Sequence, residues 1–183
     1  MTPFEQYIQE LRDIQATGAT VKETSYYTPL ANLLNEIGAT LKPKVRCFMQ
    51  LKNLGAGMPD GGLFTARQYQ RQSHESPAER LRQQPADPQN PERGVIEAKS
   101  TGDDAWVTAQ TNQVSRYWQK YRQVLVTNYR DFVLLGQDAN GQPIKLETYR
   151  LAETEKDFWQ KAQNPRAFAQ EHEEQITEYL KRV

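Results

Sequence analysis

Two short runs in the 183-residue chain combine residue types that could carry out phosphate chemistry. Pro59-Asp60 precedes two glycines, and Glu97-Ala98-Lys99 closes a short apolar run. Side chains alternate between the two faces of a strand, so Glu97 and Lys99 should project to the same side. The pattern predicts an acidic and a basic group side by side. If the strand that follows Asp60 is a neighbour of the strand that carries Glu97, the Asp60 side chain lies close to Glu97.

Two converging carboxylates repel unless one is protonated or a cation lies between them. A hard divalent cation bound by oxygen ligands and water, Mg²⁺, resolves that repulsion, and we expect Mn²⁺ to substitute for it. With a cation at Asp60 and Glu97, the expected reaction is attack of water on a phosphodiester. Lys99 would orient the water or hold the phosphate. No covalent nucleophile is needed for such a reaction, and none is evident in the sequence.

Helical periodicity after Lys99 adds further candidates. We expect one helix from Asp103 or Asp104 to about Tyr121. Its apolar stripe is formed by Val107, Val114, Trp118 and Tyr121. The border of that stripe is formed by Trp106, Gln110, Gln113 and Tyr117. The two glutamines either face the site and touch phosphate or the water of the metal, or merely rim the core, and the sequence favours neither role.

Glu23 stands just ahead of a second predicted helix and could supply a further carboxylate oxygen. Taken alone, an acid in this position is typically one that the helix dipole favours. The other short motifs also have ordinary explanations, because an E-x-K can be a solvated face of a strand and a Pro-Asp can be a turn. Their order, their strand context and the amphipathic helix that follows favour the joint interpretation.

The elements that position these residues follow from hydrophobic periodicity and turn residues. A first helix begins at Thr2-Pro3 and ends before Gly18, and a second begins at Ser25 or Thr28 and ends at Ile37, with Gly38 as its stop. The predicted strands are 45–51, 61–65, 94–99, 124–127, 132–136 and 145–151. The segment 155–182 is helical, with a break near Asn164-Pro165.

The order helix–strand–strand–strand–helix–strand predicts an α/β fold with a mixed sheet flanked by helices. We expect one domain over 1–183, with its core at about 20–136 and a C-terminal helical extension at 155–183. The segment 66–93 is rich in Gln, Arg and Pro and is predicted to be an exposed or disordered excursion, with a short helix at Ser76-Pro77. The apolar pattern is still in helical phase at Val183, which indicates either a fragment of a longer chain or a frayed final helix.

The composition limits the classes of function. Lys plus Arg and Asp plus Glu both total 23, so the net charge is zero. Domains that hold nucleic acid by bulk charge are usually basic, so any nucleic-acid surface must be local or lie partly on another domain. One cysteine excludes a disulfide framework and a thiolate zinc site. No apolar run has the length of a signal peptide or a membrane span, which predicts a cytoplasmic protein.

Three segments resemble the PD…ExK…QxxxY pattern of the PD-(D/E)XK nuclease superfamily. They are Met58 to Asp60, Val95 to Lys99, and Gln113 to Tyr117. The segment from Glu23 to Leu30 is similar to the acidic approach to the first core helix in restriction enzymes. The most specific resemblance, over about 20–136, is to N-terminal nuclease domains of bacterial fused restriction–modification proteins, in which an adenine methyltransferase follows.

The resemblance implies a restriction-endonuclease-like αβββαβ core and a metal-dependent deoxyribonuclease. Asp60 and Glu97 would then be metal ligands, Glu23 a further carboxylate, and Lys99 and Gln113 catalytic residues. The implied partners are double-stranded DNA, methyltransferase and target-recognition domains in the parent chain, and a second copy in a transient dimer for cutting both strands. The zero net charge favours an alternative, a nuclease fold with little activity that binds DNA or acts in assembly. An unrelated α/β protein would place Asp60 and Glu97 far apart.

Overall fold

The computed structural model describes residues 1–21, 23–69 and 89–183. The helices are α1 (Pro3–Ala16), α2 (Tyr27–Gly38), α3 (Ala66–Tyr69), α4 (Ala105–Thr108), α5 (Asn112–Tyr121), α6 (Glu155–Ala162) and α7 (Pro165–Arg182), with a 3₁₀ turn, Thr24–Tyr26, leading into α2. The strands are β1 (Val45–Met49), β2 (Gly61–Thr65), β3 (Val95–Ala98), β4 (Val124–Thr127), β5 (Asp131–Gln137) and β6 (Pro143–Arg150).

The strands form one mixed six-stranded sheet in the order β1-β2-β3-β4-β5-β6. Only β3 and β4 run parallel among the neighbouring pairs of these strands. A parallel pair needs a crossover connection, and α4 and α5 supply it. The predicted α/β class with a mixed sheet flanked by helices is therefore confirmed.

Helices cover the sheet on two sides, so the central strands β3 and β4 are buried along their whole length. One core packs α1, α2, α6 and α7 against the sheet and includes Phe4, Leu30, Ile96, Phe132, Phe158 and Tyr179. The second core packs α4 and α5 against the other side and includes Val95, Ala105, Val114, Trp118, Val126 and Val133. Glu97 follows the alternation of Val95 and so lies on the side of α5.

The predicted C-terminal extension is helical and belongs to the first core. Thr154 caps α6 and Asn164 caps α7, which explains the break near Pro165. The apolar residues that continue in helical phase toward the end of the sequence, Ile176, Tyr179 and Leu180, are all buried.

The single helix predicted from Asp103 or Asp104 to Tyr121 is wrong. Asp104 caps only the short α4, and the hydroxyl of Thr111 then accepts a hydrogen bond from the Val114 N–H and starts α5 anew. This restart shifts the helical phase, because the residues between the two helices no longer follow the 3.6-residue period. Val107, which was expected in the core stripe, is consequently 65% exposed.

Gly38 has a different role from the predicted helix stop. It is the last residue of α2, and the cap that follows, Ala39, is right-handed rather than left-handed. A Cβ atom on Gly38 would overlap the carbonyl oxygen of Val45. The glycine therefore allows α2 to approach β1 closely.

The predicted excursion at 66–93 is packed at both of its ends. Ala66–Tyr69 forms α3, and the side chain of the buried Gln68 bonds to the backbone on both flanks. Its Oε1 accepts from the N–H groups of Thr65 and Glu92, and its Nε2 donates to the carbonyl of Asn90. Residues 70–88, including the helix predicted at Ser76-Pro77, lie outside the described residues.

Across the described ranges, no helix is long and apolar enough to cross a membrane.

Candidate active site

The register between β2 and β3 brings the two predicted carboxylates together. Gly61 lies opposite Ile96 in this antiparallel pair. The next step of the same register places Asp60 opposite Glu97. Opposite residues of an antiparallel pair share a face, with Cβ atoms about 5 Å apart. The condition on which Asp60 and Glu97 converge, that the two strands are neighbours, is met, and the alternative with the two carboxylates far apart is wrong.

Asp60 is held from two directions. Its Oδ2 accepts a hydrogen bond from the N–H of Ala98 at 2.8 Å, and its Oδ1 accepts one from the Tyr27 hydroxyl at 2.5 Å. Burial, followed by the hydrogen bond to Asp60, raises the pKa of Tyr27 well above its ordinary value. The phenol therefore stays protonated and acts as the donor. Each carboxylate oxygen retains room for a second partner, so Asp60 is oriented and still able to bind a cation.

Glu97 is a buried carboxylate with one oxygen unpartnered. The residue is 1% exposed, and its Oε1 lies 2.7 Å from the Lys99 ammonium. Its Oε2 is buried and has no hydrogen-bond partner within the described part of the chain. Burial raises the pKa of Glu97 to about 7, with Lys99 opposing the rise and Asp60 adding to it. Buried charge without a partner is unfavourable, so this oxygen is where a cation would stabilise the site most.

Lys99 lies between Glu97 and Glu23. Burial disfavours its charge, but the hydrogen bond to Glu97 and the surrounding carboxylates outweigh burial and raise the pKa of Lys99. The Glu23 carboxylate is 3.9 Å from the Lys99 ammonium. Burial raises the pKa of Glu23, Lys99 opposes this, and Asp60 adds to it. Glu23 therefore lies within electrostatic range of the acidic pair, and its closest charged contact is the lysine.

Tyr117 and Gln113 lie on α5 next to this group. Tyr117 is buried, and burial raises the pKa of its phenol; the hydrogen bond from Gln113 opposes the rise, and the charges of Glu97 and Asp60 add to it. Gln113 donates from Nε2 to the Tyr117 hydroxyl at 2.9 Å. Among the described residues neither side chain is hydrogen-bonded to Asp60 or Glu97, and a direct role for Gln113 stays a prediction.

Gln110 lies in the break between α4 and α5 and is exposed. It lines a cavity of about 280 Å³ together with Trp118, Leu135 and Pro143. This cavity belongs to the β5–β6 side of α5. The role predicted for Gln110 at the phosphate therefore stays a prediction without a contact to Asp60, Glu97 or Lys99 among the described residues.

The arrangement can be compared with what a divalent cation needs. Within the ranges that the structure describes, no three His, Cys, Asp or Glu side chains are grouped as a ready metal site. Mg²⁺ does not require such a cage, because it keeps several waters and is commonly held by one or two carboxylates. Asp60, with a free lone pair on each oxygen, and Glu97, with its unpartnered Oε2, fit that requirement.

Two tyrosines at the site were not found from the sequence. Tyr27 orients Asp60, and Tyr129 donates from its hydroxyl to the carbonyl of Glu23 at 2.6 Å. Tyr129 has a left-handed backbone with φ of 71° and is fully buried in the turn between β4 and β5. Neither contact has a local sequence signal, because the partners are 33 and 106 residues apart. The only sequence signal for Tyr27 was its position near the start of the second predicted helix, close to Glu23 along the chain.

The fold places the chain among α/β proteins with a mixed six-stranded sheet covered by helices on two sides. No family model and no curated protein matches it. Among solved structures, it is similar to part of DrdV in a cryo-EM structure of a DrdV–DNA complex, with a TM-score of 0.52 and 19% identity. The match covers 91% of this chain and 13% of the DrdV chain. At this identity the likeness concerns the fold, and the chain spans a small part of the DrdV length.

Proposed function

We propose that this chain is a metal-dependent DNA endonuclease module that hydrolyses phosphodiester bonds, with Mg²⁺ as its cation. The observation that carries the proposal is Glu97. A carboxylate that is 1% exposed, with one unpartnered oxygen and a second carboxylate opposite it, is costly to keep unless a cation binds there. The fold likeness to part of the DrdV–DNA complex supports DNA as the substrate.

The proposed chemistry divides between the cation and the side chains. A bound Mg²⁺ supplies Lewis-acid polarisation of the phosphate and neutralises developing charge. Asp60 and Glu97 would hold it, and Tyr27 and the Ala98 N–H keep Asp60 in a fixed orientation. When water attacks phosphorus, one P–O bond forms and the bond to the leaving oxygen breaks, with its electron pair going to that oxygen. The attacking water must lose a proton, and the leaving oxygen gains one from solvent.

Lys99 is the residue that we assign to the phosphate or to the attacking water. The Lys99 side chain is about one-third exposed while its ammonium is bonded to Glu97, so it reaches both the acidic pair and solvent. It is held in its charged form, because carboxylates surround it. A protonated lysine stabilises the extra negative charge that develops on the phosphate oxygens and orients water by hydrogen bonding. Removal of the proton from water falls to solvent or to a neighbouring carboxylate.

We further propose that the module works inside a larger restriction–modification enzyme. The zero net charge gives it little bulk attraction for DNA, so methyltransferase and target-recognition domains would hold and select the substrate. The match to 13% of the DrdV chain supports a module of this size within a longer protein. One site per chain cuts one strand at a time, so cleavage of both strands would use a second copy.

Cleavage of long duplex DNA tests the proposal. The wild-type chain should nick or cut DNA with Mg²⁺ or Mn²⁺ and not with EDTA. Asp60→Asn and Lys99→Met should each lower the rate by about 100-fold or more. Matched controls are Glu174→Gln and Lys156→Met, which remove exposed charges on α7 and α6. Metal-dependent cutting that survives both site variants would contradict the site assignment.

Calorimetric titration with Mn²⁺ separates the nuclease from the binding-module alternative, which the zero net charge favours. A nuclease site should bind Mn²⁺ in the wild-type chain and lose binding in Asp60→Asn, while Lys99→Met still binds. If the chain binds duplex DNA but takes up no Mn²⁺, the binding module is the better description. Mn²⁺ binding without cleavage by the isolated chain would indicate that the other domains are needed for DNA engagement.

A further inference from the structure

Tyr27 belongs to the first core, and its hydroxyl is bonded to the candidate site. It is the first residue of α2 and is 8% exposed, with its ring packed among the apolar residues of that core. Its hydroxyl leaves this apolar surrounding and donates to Asp60 Oδ1 at 2.5 Å. A short hydrogen bond to a carboxylate is of the charge-assisted kind, which is stronger than a neutral one.

The hydrogen bond from Tyr27 is one of two that hold the Asp60 carboxylate, one on each oxygen. Asp60 follows a loop with glycines at 55 and 57, both of positive φ. The Ala98 N–H, from the strand that carries Glu97, holds Oδ2 at 2.8 Å. Two donors on different oxygens define the plane of a carboxylate, whereas one donor leaves it free to rotate.

We propose that Tyr27 is a positioning residue that fixes the plane of the Asp60 carboxylate for cation binding, an inference that rests on the proposed function. Tyr27 itself does not touch the cation. Residues that orient metal ligands typically contribute 10- to 100-fold to metal affinity. The ring of Tyr27 fills the core and its hydroxyl serves the site, so the two contributions can be separated by removing the hydroxyl alone.

The test is Tyr27→Phe in the full chain, with Mn²⁺ affinity measured by calorimetry after EDTA treatment and dialysis. The dissociation constant for Mn²⁺ should rise about 10- to 100-fold. The matched control is Tyr26→Phe, which removes the hydroxyl of the adjacent buried tyrosine; that hydroxyl makes no hydrogen bond within the described residues. Its Mn²⁺ affinity should equal that of the wild type.

A purely structural role for Tyr27 gives a different pattern. In that case Tyr27→Phe would lower the melting temperature of the metal-free chain without changing the affinity of the folded fraction for Mn²⁺. A positioning role raises the Mn²⁺ concentration for half-maximal cleavage, and saturating Mn²⁺ restores the rate. If Tyr27→Phe destabilises the chain, measurement at a lower temperature, where both variants are folded, keeps the comparison valid.

The outcomes distinguish this inference from the function on which it rests. If the wild type and Tyr27→Phe bind Mn²⁺ equally, the role of Tyr27 is refuted and the nuclease proposal stands. If the wild type takes up no Mn²⁺, the metal site itself is refuted, and the role of Tyr27 is refuted with it. A loss of affinity in Tyr26→Phe equal to that in Tyr27→Phe would show that general disturbance of α2, and not the bond to Asp60, is responsible.

Discussion

Replacing Glu97 by glutamine should stabilise the metal-free protein at pH 8, although it removes a buried residue of the candidate site. The folded-state pKa of Glu97 is raised from 4.5 to about 7, mainly by burial. Between these two values the folded protein binds more protons than the unfolded chain. The stability that this carboxyl contributes is therefore fully present below pH 4.5 and is lost as the pH rises through about 7.

The size of the effect follows from the same two values. A tenfold change in proton affinity is worth about 1.4 kcal/mol, so a rise from 4.5 to about 7 corresponds to on the order of 3 kcal/mol. Glutamine resembles the protonated acid in shape and is never charged. Glu97→Gln should thus have little effect at pH 4.5 and stabilise by up to that amount at pH 8, or roughly 6–12 °C in Tm.

Thermal and urea unfolding in EDTA, at several pH values from 4.5 to 8, measures this directly. The stability of the wild type should fall across the range relative to that of the variant. Addition of Mg²⁺ should reverse the order at pH 8, because only the wild type can bind it. Glu147→Gln is the control of opposite sign: its hydrogen bond to Arg182 lowers the pKa of Glu147, so the variant should lose stability at pH 8. If Glu97→Gln melts at or below the wild-type temperature at pH 8, the reasoning fails.

Two further substitutions test the ion pairs at the start of β5 and the loop that precedes Asp60. Asp131→Asn should lower the free energy of unfolding by about 3 kcal/mol in urea titrations, because Asp131 is 1% exposed and forms ion pairs with two arginines. A free energy of unfolding equal to that of the wild type would show that these ion pairs contribute nothing to stability. Gly57→Ala should cost about 1–3 kcal/mol in the same assay, since Gly57 has φ of 116° and its Cβ would lie 3.1 Å from the Tyr117 ring. Gly141→Ala, with positive φ and open space, should cost less, and equal costs would remove the Tyr117 contact from the explanation.

Much of the fold could be predicted because its signals are local. The strand at 61–65 has the predicted limits, since glycines and a proline mark its start and the apolar run defines its length. The start of α1 also agrees, because the Thr2 hydroxyl accepts from the N–H of Glu5 as a cap should. The proximity of Asp60 and Glu97 was expected only on the condition that the strands β2 and β3 are neighbours, and their antiparallel register meets that condition.

What could not be predicted depends on tertiary contacts. The break before α5 contains no proline or glycine. Thr111 is a favourable cap residue, but threonine also occurs within helices, so its type alone does not mark the break. The bond from Tyr27 to Asp60 joins residues 33 apart. Gly38 matches the sequence pattern of a helix stop, and its function is a close approach to β1 that periodicity does not report.

The acidic residues of the candidate site lower the stability of the folded protein, and two tyrosines of the first core hold them in place. Glu97 without a cation is unfavourable, and Glu23 and Asp60 add to the local negative charge. Tyr27 and Tyr129 extend from the first core and bond to Asp60 and to the backbone of Glu23. Because their rings are buried in that core, moving either acidic residue away from its neighbours would also disturb apolar packing. The acids therefore cannot relax apart, so their repulsion is relieved either by protonation of Glu97, whose pKa is raised to about 7, or, at higher pH, by a bound cation.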